Sequence, residues 1–457
     1  MKRQNTSINH RDVVLSLLME IYGQKEFSHI LLRQVLDKYD YLAINEKAFI
    51  KRLTEGTLER TLELDYVINQ FSKVEVRKMK PLIRALLRMS VYQLLYMDGI
   101  PDSAVCNEAV KLAAAHRFSS LKGFVNGVLR NMIRQKEEIR LPAREEGQEE
   151  YLSLRYSMPL WLVEHFLNAY GSEAAEKLLS AFLEERPVNI RLKEELPDEE
   201  IKHLKCLWKE QNIRISRHPY LPYAYSCERM EGIGSMAGFR EGLIGVQDVS
   251  SMLVAETAGI EPGMKILDVC AAPGGKAVHA ALKLKGSGEV LARDISEDKV
   301  ELIRENARRQ GTVNLTAQVW DAACPDPAKE SWADLLLCDL PCSGLGIMGR
   351  KRDIKYRLTP KSMKEVVLLQ RRILQAATAC VKPGGVMMYS TCTINKEENE
   401  DQVKWITDNL PFEVVPMSEG LPEALRKEET GLGLQLLPGI HETDGFFLAK
   451  LRRKVSS

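Results

Sequence analysis

Apolar residues fall into two rhythms along the chain. Between residues 7 and 134 they recur every three to four positions. "RDVVLSLLMEIY" sets Val14, Leu17, Leu18 and Ile21 on one face, and "PLIRALLRMSVYQLLYM" repeats the spacing behind a proline near its start. "DSAVCNEAVKLAAAHRF" and "GFVNGVLRNMIR" continue it, with a turn at "DGIPD", so a helical bundle is predicted. From Val246 onward the rhythm changes. Short apolar runs, "MKILDVC", "EVLARDI", "LTAQVWD", "ADLLLCD" and "GVMMYS", several of them closing on aspartate, alternate with helical stretches such as "EDKVELIRENARRQG" and "MKEVVLLQRRILQAATACV". That alternation predicts a parallel sheet covered by helices on both faces, and "GFFLAKLRR" predicts a returning antiparallel strand. Between the two regions, "QKEEIRLPAREEGQEE" reads as an exposed charged linker. The stretch after it mixes helical "PLWLVEHFLNAYG" and "EAAEKLLSAFLEE" with strand-like "PVNIRL" and "IRISRH". The predicted architecture is therefore a helical domain (1–134), a linker (135–150), a small α+β module (151–245) and an α/β domain (246–457).

A chain of 457 residues exceeds what one core supports, in keeping with several domains. No apolar stretch reaches signal-peptide length or the roughly 18 residues of a membrane helix, so no membrane partner is expected. Nine cysteines without paired spacing point to a reducing cytoplasm. The net charge of +1 hides a gradient: residues 1–134 carry 21 Lys+Arg against 14 Asp+Glu, whereas 135–150 carries 3 against 6. The basic excess at the N-terminal end suits an anionic partner such as nucleic acid, or equally a solvated lysine-rich surface.

In open α/β sheets, ligands bind beyond the carboxyl ends of the strands. "LDVCAAPGGKAVHAA" puts Asp268 at such an end, followed by a small-residue loop and a helix. Within that loop (Cys270, Ala271, Ala272, Pro273, Gly274, Gly275 and Lys276), the glycines let backbone N–H groups approach a ligand at a helix N-terminus. Asp294 closes the next strand, where a carboxylate can hold two ribose hydroxyls. A nicotinamide cofactor is the competitor, but its G-x-G-x-x-G spacing is missing. "CAAPGGK" instead resembles the loop of S-adenosylmethionine-dependent RNA methyltransferases. That resemblance implies S-adenosyl-L-methionine as methyl donor, Asp294 on its ribose, Asp321 at its adenine edge and Asp339 at its methionine end.

Two thiols, Cys342 in "DLPCSGLG" and Cys392 in "YSTCTINKEENE", follow strand ends on the same rim. Cys270, Cys338 and Cys380 read as packing residues within strands or helices. Zinc is the rival explanation, but Cys338-x-x-x-Cys342 lacks a second pair, so no metal is expected. Cytosine chemistry accounts for two thiols. Carbon 5 of cytosine is a weak nucleophile until a thiolate adds to carbon 6, and expulsion of that sulfur calls for a second group. Asp339 is placed to hydrogen-bond the base near N3.

"DLPCSG", "STCTINKEENE" and the terminal "LLPGIHETDGFFLAKL" together resemble the bacterial RsmB/Sun/Fmu family of ribosomal RNA cytosine-5 methyltransferases, most specifically over 246–450. "IPDSAVCNEAVKLA" with "FVNGVLR" resembles NusB, an RNA-binding helical domain that members carry ahead of the catalytic one. The resemblance implies a Rossmann-like class I methyltransferase domain. It makes Cys392 the nucleophile and Cys342 the thiol that assists release, with small-subunit (16S) rRNA as substrate of a monomer in the cytoplasm. The base must be extruded or already single-stranded to reach the thiol. "GIMGRKRDIKYR" supplies Arg350, Lys351, Arg352, Lys355 and Arg357, predicted to contact RNA phosphates, with a solvated basic loop as the alternative. Two rival functions stand beside this one. A cytosine-5 methyltransferase of tRNA or DNA, the DNA type using the Pro-Cys thiol as nucleophile, is one; a non-catalytic RNA-binding assembly or antitermination factor is the other.

Overall fold

The computed structural model describes residues 8–23, 26–230 and 232–455. The first seven residues of the predicted 1–134 domain, and Ser456 and Ser457 of the predicted 246–457 domain, lie outside these.

The 3.6-residue rhythm becomes helices. They are α1 (His10–Tyr22), α2 (Ser28–Lys38), α3 (Ile44–Glu59), α4 (Thr61–Phe71), α5 (Pro81–Tyr96), α6 (Asp102–Ala115) and α7 (Lys122–Arg134). Asn9 caps α1 by accepting from the backbone N–H groups of Arg11 and Asp12, and Pro81 opens α5, where its missing N–H costs nothing. Val14, Leu17, Leu18 and Ile21 are all buried in a single core with the inner faces of α3 to α7. Inside α5, Arg88 grips Asp65 with two bonds of 2.5 and 2.6 Å, so its charge is matched where water is scarce. The charged stretch 135–150 contains short 3-10 turns and the first residues of α8 (Gln148–Arg155); α9 (Leu160–Ala181), broken at Gly171, follows. These residues belong to the helical unit, which extends to Glu184 and takes in 348–357.

The second unit holds residues 185–347 and 358–457. It begins with β1 (Val188–Leu192), α10 (Asp198–Glu210), β2 (Arg214–Arg217), β3 (Ala224–Glu228) and β4 (Ile244–Val246), an antiparallel sheet in the order β2-β3-β1-β4. α11 (Val249–Thr257) leads into β5 (Lys265–Asp268), α12 (Gly275–Lys283), β6 (Glu289–Asp294), α13 (Glu297–Arg309), β7 (Leu315–Val319) and β8 (Ala333–Asp339). The one-turn α14 (Ile354–Arg357) lies in the segment that belongs to the helical unit. Then come α15 (Pro360–Ala377), β9 (Val381–Thr391), α16 (Glu400–Asn409), β10 (Phe412–Val414), α17 (Glu423–Arg426), β11 (Leu434–Leu436) and β12 (Phe446–Arg453).

β7, β6, β5, β8 and β9 run parallel in that order; β12 adds antiparallel to β9, and β10 and β11 pair with β12. β5, β6 and β8 are buried along nearly all their length, as a sheet covered on both faces requires. This bears out the predicted fold class, including the antiparallel return of "GFFLAKLRR". Strand order reverses between β5 and β8, so the carboxyl ends of these neighbours, Asp268 and Asp339, frame the crevice where such sheets take ligands.

The small sheet is fastened to α13 of the large one. Arg309 donates to the carbonyls of Phe239 (2.8 Å) and Ile244 (2.9 Å), with its guanidinium 3.9 Å from the Phe239 ring centroid. Gly242 has φ +75°, and a Cβ there would come within 1.9 Å of the Arg309 carbonyl oxygen. Arg309→Ala is expected to lower the unfolding free energy by about 2 kcal/mol, since it deletes charge-assisted bonds to two buried carbonyls. Gly242→Ala should cost more. Urea titration of both variants measures the effect.

Candidate active site

A cleft of about 250 Å³ opens at the switch between β5 and β8. Of the predicted loop, Cys270, Ala271, Ala272, Pro273, Gly275 and Lys276 line it. Gly274 does not line the cleft; at φ +104° it turns the chain into α12, in a conformation that a side chain disfavours. Asp339 lines the cleft as well, its carboxylate held by the Lys276 ammonium (2.6 Å) and the Ser390 hydroxyl (2.9 Å). Asp294 sits behind the loop: its two oxygens accept from the backbone N–H groups of Ala272 (3.0 Å) and Ile295 (2.8 Å). Asp321 stands apart, in an exposed turn after β7, where it accepts from Ala323 N–H.

Asp268 is a site residue that strand-end reasoning noticed but did not assign. It is 1% exposed, and its Oδ2 has no hydrogen-bond partner. Burial, helped by the nearby Asp339, pushes its carboxyl up to about 7. Gln247, Asp444 and Phe446 also line the cleft; their part was not legible because they come from a loop of the small module and from the start of the last strand.

The two thiols meet. Cys342 Sγ lies 3.1 Å from Cys392 Sγ, and Cys392 lines the cleft. The hydrogen bond with Cys392, together with burial, pushes the Cys342 thiol well up, so it keeps its proton at neutral pH. Cys338 and Cys380 are buried packing residues of the core on one face of the sheet.

What brings the thiols together is a network around Glu398. This fully buried carboxylate accepts from the Ser343 backbone N–H (2.8 Å), the Gln370 amide (3.2 Å) and the Asn395 amide (2.9 Å). The Ser343 and Thr393 hydroxyls pair at 2.7 Å. The residue after each thiol is thus tied to its counterpart. A second brace is backbone against backbone: Gly445 N–H donates to Gly346 O (2.9 Å), and a Cβ on Gly346 would come within 2.0 Å of the Gly445 oxygen.

The basic segment departs from expectation. Arg352 pairs with the Glu59 carboxylate, and Lys355 is 4% exposed with its ammonium on the Glu59 carbonyl (2.7 Å). Asp353 accepts from the Ser28 N–H (3.0 Å) and hydroxyl (2.5 Å) and from Arg357 (2.7 Å). Burial pushes the Lys355 amine down to about 7. Arg352 and Lys355 are therefore spent inside the helical unit and do not face a phosphate; Lys351 is half-buried and Arg350 exposed.

Comparison with known proteins follows the same division. Residues 257–452 match the model of the 16S rRNA methyltransferase RsmB/F family, and 8–134 match that of the NusB family. The chain is 34% identical to the probable ribosomal RNA small subunit methyltransferase B of Bacillus subtilis over 97% of this chain and 98% of that one. It is 30% identical to the corresponding Synechocystis protein over 98% and 100%. The chain belongs to the ribosomal RNA small subunit methyltransferase B family. Among solved structures, PH0851 shares the fold with a TM-score of 0.80 at 24% identity, covering 97% of this chain and 99% of that one. NSun6 from Pyrococcus horikoshii with SFG gives 0.57 at 22% identity over 65% and 99%. Among the described residues no helix is long and apolar enough to cross a membrane.

Asp268 generates a prediction for this family member. Its carboxyl releases its proton near 3.8 when unfolded but near 7 when folded, so between those values the folded state holds a proton the unfolded state has lost. Stability of the ligand-free protein should fall by roughly 3 kcal/mol as pH rises from 5 to 8, and Asp268→Asn should abolish that share of the fall. Denaturant titrations at the two pH values compare them. Glu398→Ala, which strands three buried donors, is expected to lower stability by about 3 kcal/mol and turnover by more than tenfold; circular dichroism and methyl-transfer assays separate the two effects.

Proposed function

We propose that the protein methylates carbon 5 of a cytosine in small-subunit ribosomal RNA, with S-adenosylmethionine as donor and Cys392 as covalent catalyst. The 3.1 Å approach of the two thiols beside the cleft carries this reading, because cytosine C5 chemistry uses one thiolate to add at carbon 6 and a second group to assist its release.

The cleft suits the cofactor. The orphaned, buried Asp268 oxygen needs a donor, which an ammonium or hydroxyl group supplies. Gly275 begins α12, where free N–H groups point at a ligand, and Asp294 holds the loop through Ala272. Asp268, Asp294 and the loop from Cys270 to Lys276 would hold the cofactor, whereas Asp321, in its exposed turn, does not line the cleft. When bound, the cofactor supplies an electrophilic methyl group on a sulfonium.

In the reaction, the Cys392 thiolate adds to carbon 6 of the cytosine, and the electron pair of the C5–C6 double bond moves to carbon 5. Asp339, oriented by Lys276 and Ser390, holds the ring at its N3 edge. Once carbon 5 is methylated, its proton leaves to water, that C–H pair restores the double bond, and the C6–S bond breaks with its electrons on sulfur. Cys342, which keeps its proton, donates a hydrogen bond to the departing thiolate 3.1 Å away. The NusB-type unit supports an RNA substrate.

Cys392→Ala is expected to abolish methyl transfer to rRNA. Cys342→Ala should instead trap a protein–RNA adduct that survives denaturing electrophoresis. Full turnover by Cys392→Ala would overturn the assignment, and the absence of radiolabelled methyl groups in rRNA with the wild-type enzyme would favour a pure binding role. Bisulfite sequencing of rRNA from cells lacking the protein identifies the nucleotide.

A further inference from the structure

A second cleft, of about 560 Å³, opens at the other end of α12, between the turn after β1 and the loops that precede β6 and β7. Its wall carries His279, which the methyl transfer does not use. The ring is 1% exposed, and neither nitrogen has a hydrogen-bond partner. Its Nε2 lies 3.4 Å from Glu194 Oε1 and 3.7 Å from Glu256 Oε1, and the three atoms all fall within 4.8 Å of one another. Burial, with the nearby Arg191 and Lys283 charges, pushes the imidazole well down, so it is neutral and offers a lone pair.

The neighbours account for the carboxylates but not for the ring. Lys283 Nζ is 2.8 Å from Glu256 Oε1 and 3.3 Å from Glu194 Oε1, and the Tyr223 hydroxyl donates to the same Glu256 oxygen. None of these gives the buried imidazole a partner. We propose that Glu194, Glu256 and His279 form a binding site for a divalent transition-metal ion of the zinc class, with water as fourth ligand. Tetrahedral bonds of about 2.0–2.1 Å set ligand atoms about 3.3–3.5 Å apart, close to the spacings here. One imidazole with two carboxylates selects such an ion over magnesium or calcium, which favour all-oxygen shells. Lys283, which borders the cleft, swings outward and yields its place to the ion. The ion joins the turn after β1 to α11 and α12, and the first turn of α12 lines the catalytic cleft. No cysteine takes part; the expectation of no metal weighed only the cysteines, and this site departs from it.

The test is titration of full-length protein with Zn²⁺ against a chromophoric chelator, with Co²⁺ as spectroscopic probe. One equivalent should bind, and the Co²⁺ form should show ligand-field bands without thiolate charge transfer. His279→Gln and the solvent-exposed Glu194→Gln should each weaken binding at least about tenfold, because loss of a direct ligand costs no less than loss of a supporting one. Lys283→Met should tighten it. Failure of both wild type and Lys283→Met to bind, binding indifferent to His279→Gln and Glu194→Gln, or a thiolate charge-transfer band would each overturn the proposal.

Discussion

The approach of the two thiols depends on a buried carboxyl group. Glu398, wholly enclosed, collects donors from Ser343, Gln370 and Asn395. The loop after β8 and the turn after β9 would otherwise be two surface connections free to drift apart. Sulfur atoms do not attract each other strongly enough to stay 3.1 Å apart. A buried carboxyl group whose oxygens collect three hydrogen bonds does hold its partners, because releasing any one leaves a polar atom unsatisfied where water cannot reach.

Around that brace the fold sets groups that resist ionisation beside groups that must be charged. Burial pushes the Asp268 carboxyl up to about 7, and the hydrogen bond with Cys392 together with burial pushes the Cys342 thiol well up, whereas Asp339 is paired with Lys276. The separation follows from the sheet. β5 and β8 are covered on both faces, so the last residues of each pass from a dry interior to an open rim within one or two positions.

Much of this was readable in one dimension. Strand runs ending in aspartate, the small-residue loop and the two thiols after strand ends all describe local pattern; Asp268, Asp294 and Asp339 close their strands, whereas Asp321 lies two residues beyond β7. β10 and β11, three residues each, are too short to show a period, and Glu-rich 135–150, read as a linker, ends in the first residues of a helix. The compact units divide after Glu184 because α8 and α9 pack with the helices before them. The larger misreading was the basic segment. Charge in sequence suggests solvent, but Arg352 and Lys355 find carboxylate and carbonyl partners on Glu59, almost 300 residues earlier. Glu398 and Asp268 were on the page as letters; their importance depends on enclosure, which no local pattern records.

That same segment bears on how far the protein is modular. Residues 348–357 lie in the middle of the catalytic sequence yet are built into the helical unit, with Asp353 bonded to Ser28 and the Lys355 amine on the Glu59 carbonyl. A gene cut after Glu184 would release a methyltransferase half carrying an ammonium and a carboxylate shaped for a bed no longer there. Fission at that point would leave both groups without these partners.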